Sequence, residues 1–133
     1  MNTPTATFRP HERLKSRKRI KELFESGKSR AFFPLRCVWL SAETSTPSAP
    51  VQVAFSVSKK NFPHATDRNL LKRRMREAYR LQKHLLYPKI APQQTISLMF
   101  LYIAREKANY ASIYAQMTKC LHYIIKENNA HAE

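Results

Sequence analysis

The chain has 133 residues and a mass of 15.6 kDa, enough for one compact domain and hardly for two. Hydrophobic residues make up 43% of it, which supports a packed core and argues against wholesale disorder. A formal charge of +15 and a pI near 10.3 are too lopsided for a neutral metabolic enzyme and fit electrostatic capture of nucleic acid.

Residues 1–10, with Pro4 and Pro10, form a loose lead-in. From His11 to Ser26 the pattern is helical and basic, with Leu14, Ile20, Leu23 and Phe24 as candidate apolar contacts. Gly27, the one glycine in the chain, follows where a helix would terminate in a left-handed residue. Ala31 to Glu43 reads as a strand, with Leu35, Cys37 and Trp39 alternating against Arg36, Val38 and Leu40. After a turn over Thr44 to Pro50, the segment Val51 to Ser58 alternates more sharply. Val51, Val53, Phe55 and Val57 share one face; Gln52, Ala54, Ser56 and Ser58 share the other. That second face is small and polar, so a ligand can approach the sheet closely there.

Lys59 to Ala65 connects to a basic helix, N-capped by Thr66 or Asp67 and expected to run to about Leu86 before Pro88. Between Arg68 and Lys83 it carries seven Arg or Lys and one acid, Glu77, in sixteen residues. Wound at about 100° per residue, Arg68, Asn69, Lys72, Arg73, Arg76, Arg80 and Lys83 fall within one arc of roughly 140°. Leu70, Leu71, Met75, Ala78, Tyr79, Leu81 and Leu85 lie opposite. One face suits a core and the other a polyanion. A loop with Pro88 and Pro92 leads to Thr95–Ala104, whose near-continuous apolar run indicates a strand buried on both faces. Ala108 to Lys126 places Tyr110, Ile113, Tyr114, Met117, Leu121, Ile124 and Ile125 on one helical stripe.

These elements make residues 11–127 a single RNA-binding α+β domain of order α-β-β-(β)-α-β-α, followed by a polar tail at 128–133. The unit from Val51 to Ala104 is a β-α-β crossover, which the general rule makes right-handed. No apolar run reaches the roughly 18–20 residues that span a bilayer, and the start, MNTPTATFRP, lacks the apolar stretch of a secretion signal. Cys37 and Cys120, both in apolar surroundings, point to buried free thiols in a reducing compartment, hence a cytoplasmic setting.

Catalytic constellations are missing. Asp67 is the one aspartate, and the eight glutamates are scattered, so no carboxylate cluster for Mg²⁺ is apparent. The five histidines form no zinc spacing with the cysteines, and no Ser-His-Asp set or phosphate-binding glycine loop is present. What remains is a binding constellation. Ser56-Val57-Ser58-Lys59-Lys60 ends a strand with two cations, and Arg68-Asn69, Lys72-Arg73 and Arg76 follow on one helical face. Arginine offers planar bidentate contacts that suit phosphate. Asn69 carries both donor and acceptor groups, for a hydrated metal, a phosphate or the backbone at the helix start.

This arrangement resembles the protein subunit of bacterial ribonuclease P. The family pattern is a strand ending in SVSKK, a short connector, and an Arg-Asn-Arg helix continuing apolar-Lys-Arg-x-x-Arg-Glu. Here VAFSVSKK ends at Lys60 and RNLLKRRMRE spans 68–77. LKSRKRIKELFESGKS, Leu14 to Ser29, is similar to the family's first helix and its following glycine, and TISLMFLYIAREKA, Thr95 to Ala108, to its final strand. The likeness covers roughly residues 12–127. Leu70 replaces the second arginine of the signature, Asn61-Phe62-Pro63-His64 replaces a glycine-containing turn, and Ala54 stands where many members have glycine.

The resemblance implies a mostly antiparallel central sheet with an unusual left-handed β-α-β crossover, the fold named after that family's protein and one domain of a small-subunit ribosomal protein. It implies an endoribonuclease in which a catalytic RNA, with Mg²⁺ bound mainly by that RNA, removes the 5′ leader of precursor tRNA. The protein then supplies no catalytic residue and needs neither membrane nor protein partner. Lys59, Lys60, Arg68, Asn69, Lys72, Arg73 and Arg76 are the expected contacts to the RNA subunit, Asn69 doubling as a candidate metal contact. Ile20, Phe24, Ser56 and Ser58 are the expected contacts to the leader, in a cleft between the sheet and the first helix. For Ile20 and Phe24 core packing is the alternative; Phe32, Phe33 and Trp39 read as core or edge packing. The basic run Arg13 to Lys21 either reaches RNA or solubilises the helix. A structural RNA-binding protein of ribosomal type is the alternative function.

Overall fold

The structure, a computed structural model, describes residues 8–43 and 49–131. Most of the turn expected over Thr44 to Pro50, and most of the lead-in, lie outside the described residues. Pro10 opens a short 3-10 turn, Pro10–Glu12, after which residues 13–16 run extended, so the continuous helix expected from His11 does not form. Leu14 N–H donates to the Val53 carbonyl at 2.9 Å, drawing this strap onto the third strand. Ser16 then caps α1 (Arg17–Ser26), its hydroxyl accepting from the Arg19 N–H at 3.3 Å.

Gly27 ends α1 in extended backbone (φ −73°, ψ 157°), not in the left-handed region expected of it. Space is what selects glycine here: a Cβ would collide with the Leu23 carbonyl oxygen and crowd the Trp39 carbonyl at 3.1 Å. The strand expected from Ala31 is a hairpin instead. β1 (Lys28–Phe32) and β2 (Leu35–Glu43) pair antiparallel, and the chain reverses at Phe33 and Pro34, joined by a cis peptide bond. Proline has no N–H for a ladder, so the turn is where it fits.

β3 (Val51–Val57), α2 (Ala65–Gln82) and β4 (Gln94–Tyr102) make the crossover, with β3 and β4 parallel neighbours. β4 also pairs antiparallel with β2, giving a mixed four-stranded sheet of order β1-β2-β4-β3. Its central position explains the apolar run of β4, which is buried on both faces. Neither Thr66 nor Asp67 caps α2. His64 holds that position without a side-chain bond, and the helix stops at Gln82, short of Leu86, before two 3-10 turns. α3 (Tyr110–His131) extends past Lys126. Asn128 is buried there and accepts from Gln94 Nε2 at 2.7 Å.

The molecule has three layers. On one face of the sheet α2 and α3 cover the main core, in which Val53, Phe100 and Cys37 meet Tyr79, Met75, Ile113 and Met117. Gln82 joins those two helices, donating from Nε2 to the Tyr114 carbonyl at 3.1 Å. On the other face α1 and the strap cover a smaller core of Leu14, Leu23, Val38 and Met99. Both cysteines are buried free thiols. No helix among the described residues is long and apolar enough to cross a membrane.

Candidate nucleic-acid interface

At the end of β3 a tight turn sets the basic face. The Ser58 hydroxyl accepts from Lys60 N–H at 3.1 Å and its carbonyl from Phe62 N–H at 3.0 Å, leaving Lys59 and Lys60 exposed. Phe62 is buried against Tyr102, ring centroids 5.7 Å apart, and anchors the connector to the core. Arg68 reaches back from α2, donating through Nη1 to the carbonyls of Phe62 and Pro63, both at 2.8 Å. Part of its hydrogen-bonding capacity therefore goes to bracing the connector, and it is half-buried.

Asn69, Arg73 and Arg76 are exposed and Lys72 is half-buried; the four line one shallow depression of about 630 Å³ together with Thr66, Asp67 and Leu70. Leu70 thus adds an apolar patch to the floor of a cationic surface. Lys107 lies 2.6 Å from Asp67 and, chiefly through that hydrogen bond, holds its carboxyl below the usual range. The basic arc is shorter than the helical wheel suggests. Arg80 is paired with Glu77 one turn back, Nε to Oε2 at 3.0 Å. Lys83 turns inward altogether. Arg74, on the apolar side, donates to the Ala108 carbonyl at 2.8 Å and so ties α2 to the loop after β4.

The expected leader contacts Ile20, Phe24 and Ser56 lie toward the opposite face of the sheet, the side covered by α1. Ile20 is half-buried and packs at the margin of the smaller core with Ala54 and Leu101, so it belongs partly to that core. Phe24, one turn on, is 54% exposed and free to stack. Ser56 is half-buried on β3 and Ser58 is exposed beyond its end. Gln52 links strap and helix, donating to the His11 carbonyl at 3.2 Å and accepting from Arg19 Nη1 at 2.6 Å.

Strap and α2 flank an opening of about 450 Å³ at the β3 edge, lined by Phe8, Arg13, Lys15, Phe55, Lys72 and Arg76 among others. The Arg13 guanidinium lies 5.6 Å from the Phe8 ring centroid, and that of Arg76 lies 6.0 Å from the Phe55 centroid. Lys72 and Arg76 line both depressions, so the basic surface is continuous from α2 round the edge of the sheet. Arg13 and Lys15 were left open by the sequence and belong to this surface. The signal was present, since both flank buried Leu14 in a two-residue alternation that a helix would not give.

Glu12 holds the strap in place. Its carboxylate, 4% exposed, accepts from Lys83 Nζ and the Tyr87 hydroxyl, each at 2.7 Å, and from the Arg9 N–H at 2.6 Å. Burial pushes this carboxyl up, but those three donors outweigh it and leave it below its ordinary value. Lys83, expected on the RNA-facing arc, is instead the buried partner of this pair. Among the described residues no three His, Cys, Asp or Glu side chains gather to hold a metal ion.

Residues 8–127 match the family model for ribonuclease P. A ribonuclease P protein component from Porphyromonas gingivalis (strain W83) is 36% identical over 120 residues, 89% of this chain and 86% of that protein. Another from Chlorobium phaeobacteroides is 46% identical over 83 residues, an alignment spanning 61% of this chain and 57% of the relative. Among solved structures, the RNase P protein from Thermotoga maritima superposes with a TM-score of 0.66 at 21% identity, over 85% of this chain and 97% of that one, which shows a shared fold. By family model and by identity along nearly its whole length, the chain belongs to the ribonuclease P protein component family.

Proposed function

We propose that this chain is the protein subunit of a ribonuclease P ribonucleoprotein, which removes the 5′ leader of precursor tRNA in the cytoplasm. It docks on the catalytic RNA through Lys59, Lys60, Asn69, Lys72, Arg73 and Arg76, with Arg68 bracing the connector that presents them. It grips the leader between α1 and the sheet, with Phe24 stacking on an unpaired base and Ile20, Ser56 and Ser58 lining the path. The observation that carries this reading is a continuous cationic surface that turns the β3 edge between two apolar-backed faces. Two RNAs held side by side repel one another, and cations along their boundary offset that repulsion.

Mg²⁺ supplies the charge stabilisation for phosphodiester hydrolysis, and hard oxygen ligands are what it requires. The Asn69 side chain offers one such oxygen, while the nearest carboxylate in its depression, Asp67, is engaged by Lys107. A metal touching Asn69 would take its remaining ligands from RNA phosphates. Reconstitution tests the reading: at low Mg²⁺ a cognate catalytic RNA cleaves precursor tRNA only when the protein is added. Absence of stimulation sinks the proposal. Recovery of ribosomal RNA alone on affinity purification supports a ribosomal-type protein instead.

A further inference from the structure

Phe33 is the most exposed large apolar side chain among the described residues, at 69%. It stands on the β1–β2 turn at the mouth of a groove of about 780 Å³, whose lining includes Ile103, Ala104, Arg105, Glu106 and Ala115. The groove is firmly built. Ile103 N–H donates to the Pro34 carbonyl at 2.8 Å, and the Tyr102 hydroxyl bridges the loop after β4, donating to the Glu106 carbonyl at 2.5 Å and accepting from Ala108 N–H at 2.7 Å. The same loop is pinned to α2 from its other side by Lys107–Asp67 and Arg74–Ala108. One loop therefore separates the groove from the depression that contains Asn69 and Arg73.

We propose that this groove is a second docking point for the catalytic RNA, taking one unpaired nucleotide whose base stacks on Phe33 while Arg105 meets its phosphate. The inference rests on the function proposed above and extends its RNA-subunit interface across the loop after β4. Three observations select this occupant. Ser112, Ala115 and Gln116 of α3 line the groove, so it lies on the α2–α3 face, away from the leader path under α1. The groove adjoins the α2 surface across the pinned loop after β4, which places its occupant within reach of RNA docked there. Glu106, flanked by Arg105 and Lys107, makes the groove a poor seat for a run of phosphates and a better one for a single base.

The test is catalytic-RNA affinity of full-length Phe33→Ala, Phe33→Trp and Arg105→Ala proteins, measured across a salt series. Phe33→Ala is expected to weaken binding about tenfold with an unchanged salt slope, since an aromatic ring releases no counterion. Phe33→Trp is expected to restore it, and Arg105→Ala to weaken binding and lower the slope by about one. Wild-type affinity in Phe33→Ala overturns the inference. So does a defect confined to leader-bearing substrate, or a change in the sedimentation mass of the free protein, which would assign the groove to leader or to a second copy. If wild-type protein itself fails to bind the catalytic RNA, the function falls first, and the inference with it.

Discussion

Gly27 occupies a point of close approach between the end of α1 and β2, where a Cβ would collide with the Leu23 carbonyl. Its uniqueness in the sequence marks a backbone constraint, but the constraint is a close approach between α1 and β2, which only tertiary packing reveals. Gly27→Ala is therefore expected to cost about 2 kcal/mol by crowding the Leu23 and Trp39 carbonyls, measured as a lower urea midpoint. Phe24 is the converse case: helical spacing alone left it between core and cleft, and its exposure settles that it is not core. Phe24→Ala should leave stability within about 0.5 kcal/mol of wild type. It should lower holoenzyme affinity for leader-bearing substrate roughly tenfold and leave mature tRNA unaffected. Equal loss on both substrates would argue against a leader contact.

α2 was the most legible element, because one-sided charge over a long helix survives any error at its ends. Leu71, Met75, Ala78 and Tyr79 are buried as the wheel requires, and Asn69, Arg73 and Arg76 are exposed. Arg73→Ala should weaken binding of the catalytic RNA and reduce the salt slope by about one, without altering the melting temperature. What the wheel could not show is which cations find an acid. Lys83 is claimed by Glu12, an acid far away in sequence, and no local pattern announces that pairing. Glu12→Gln leaves a buried ammonium without its counter-charge, and about 3 kcal/mol of destabilisation is expected near neutral pH. Because the folded carboxyl titrates below its ordinary value, its contribution is complete above the usual carboxylate range and fades as pH falls through the folded value. The gap between wild type and Glu12→Gln should accordingly narrow below about pH 4 in urea melts at stepped pH.

At the scale of the whole molecule, the element order and the single α+β domain were legible from periodicity, and the family from SVSKK and the basic helix. The β1–β2 hairpin reads as one strand because Pro34 is the lone turn signal in an otherwise apolar and basic run, with no Gly, Asn or Asp beside it. The strap reads as helix in the sequence because its alternation about Leu14 is only a few residues long and runs straight into the basic helix α1. Three-layer packing makes the sheet a partition: α1 and the strap lie on one side, and α2 and α3 on the other. The cationic surface joins the two sides around the β3 edge, where the strap closes it.

That closure has a consequence for assembly. Glu12 and Lys83 are 71 residues apart, and Glu12 and Tyr87 are 75 apart. During synthesis the strap emerges early and can meet β3, yet its anchor Glu12 lacks Lys83 and Tyr87 until α2 and the turn after it have been made. A contact of such long range follows the local helices and the hairpin, since loop closure must precede its reward. The opening at the β3 edge is thus completed late, and an incomplete chain presents loose cations without the groove that orders them.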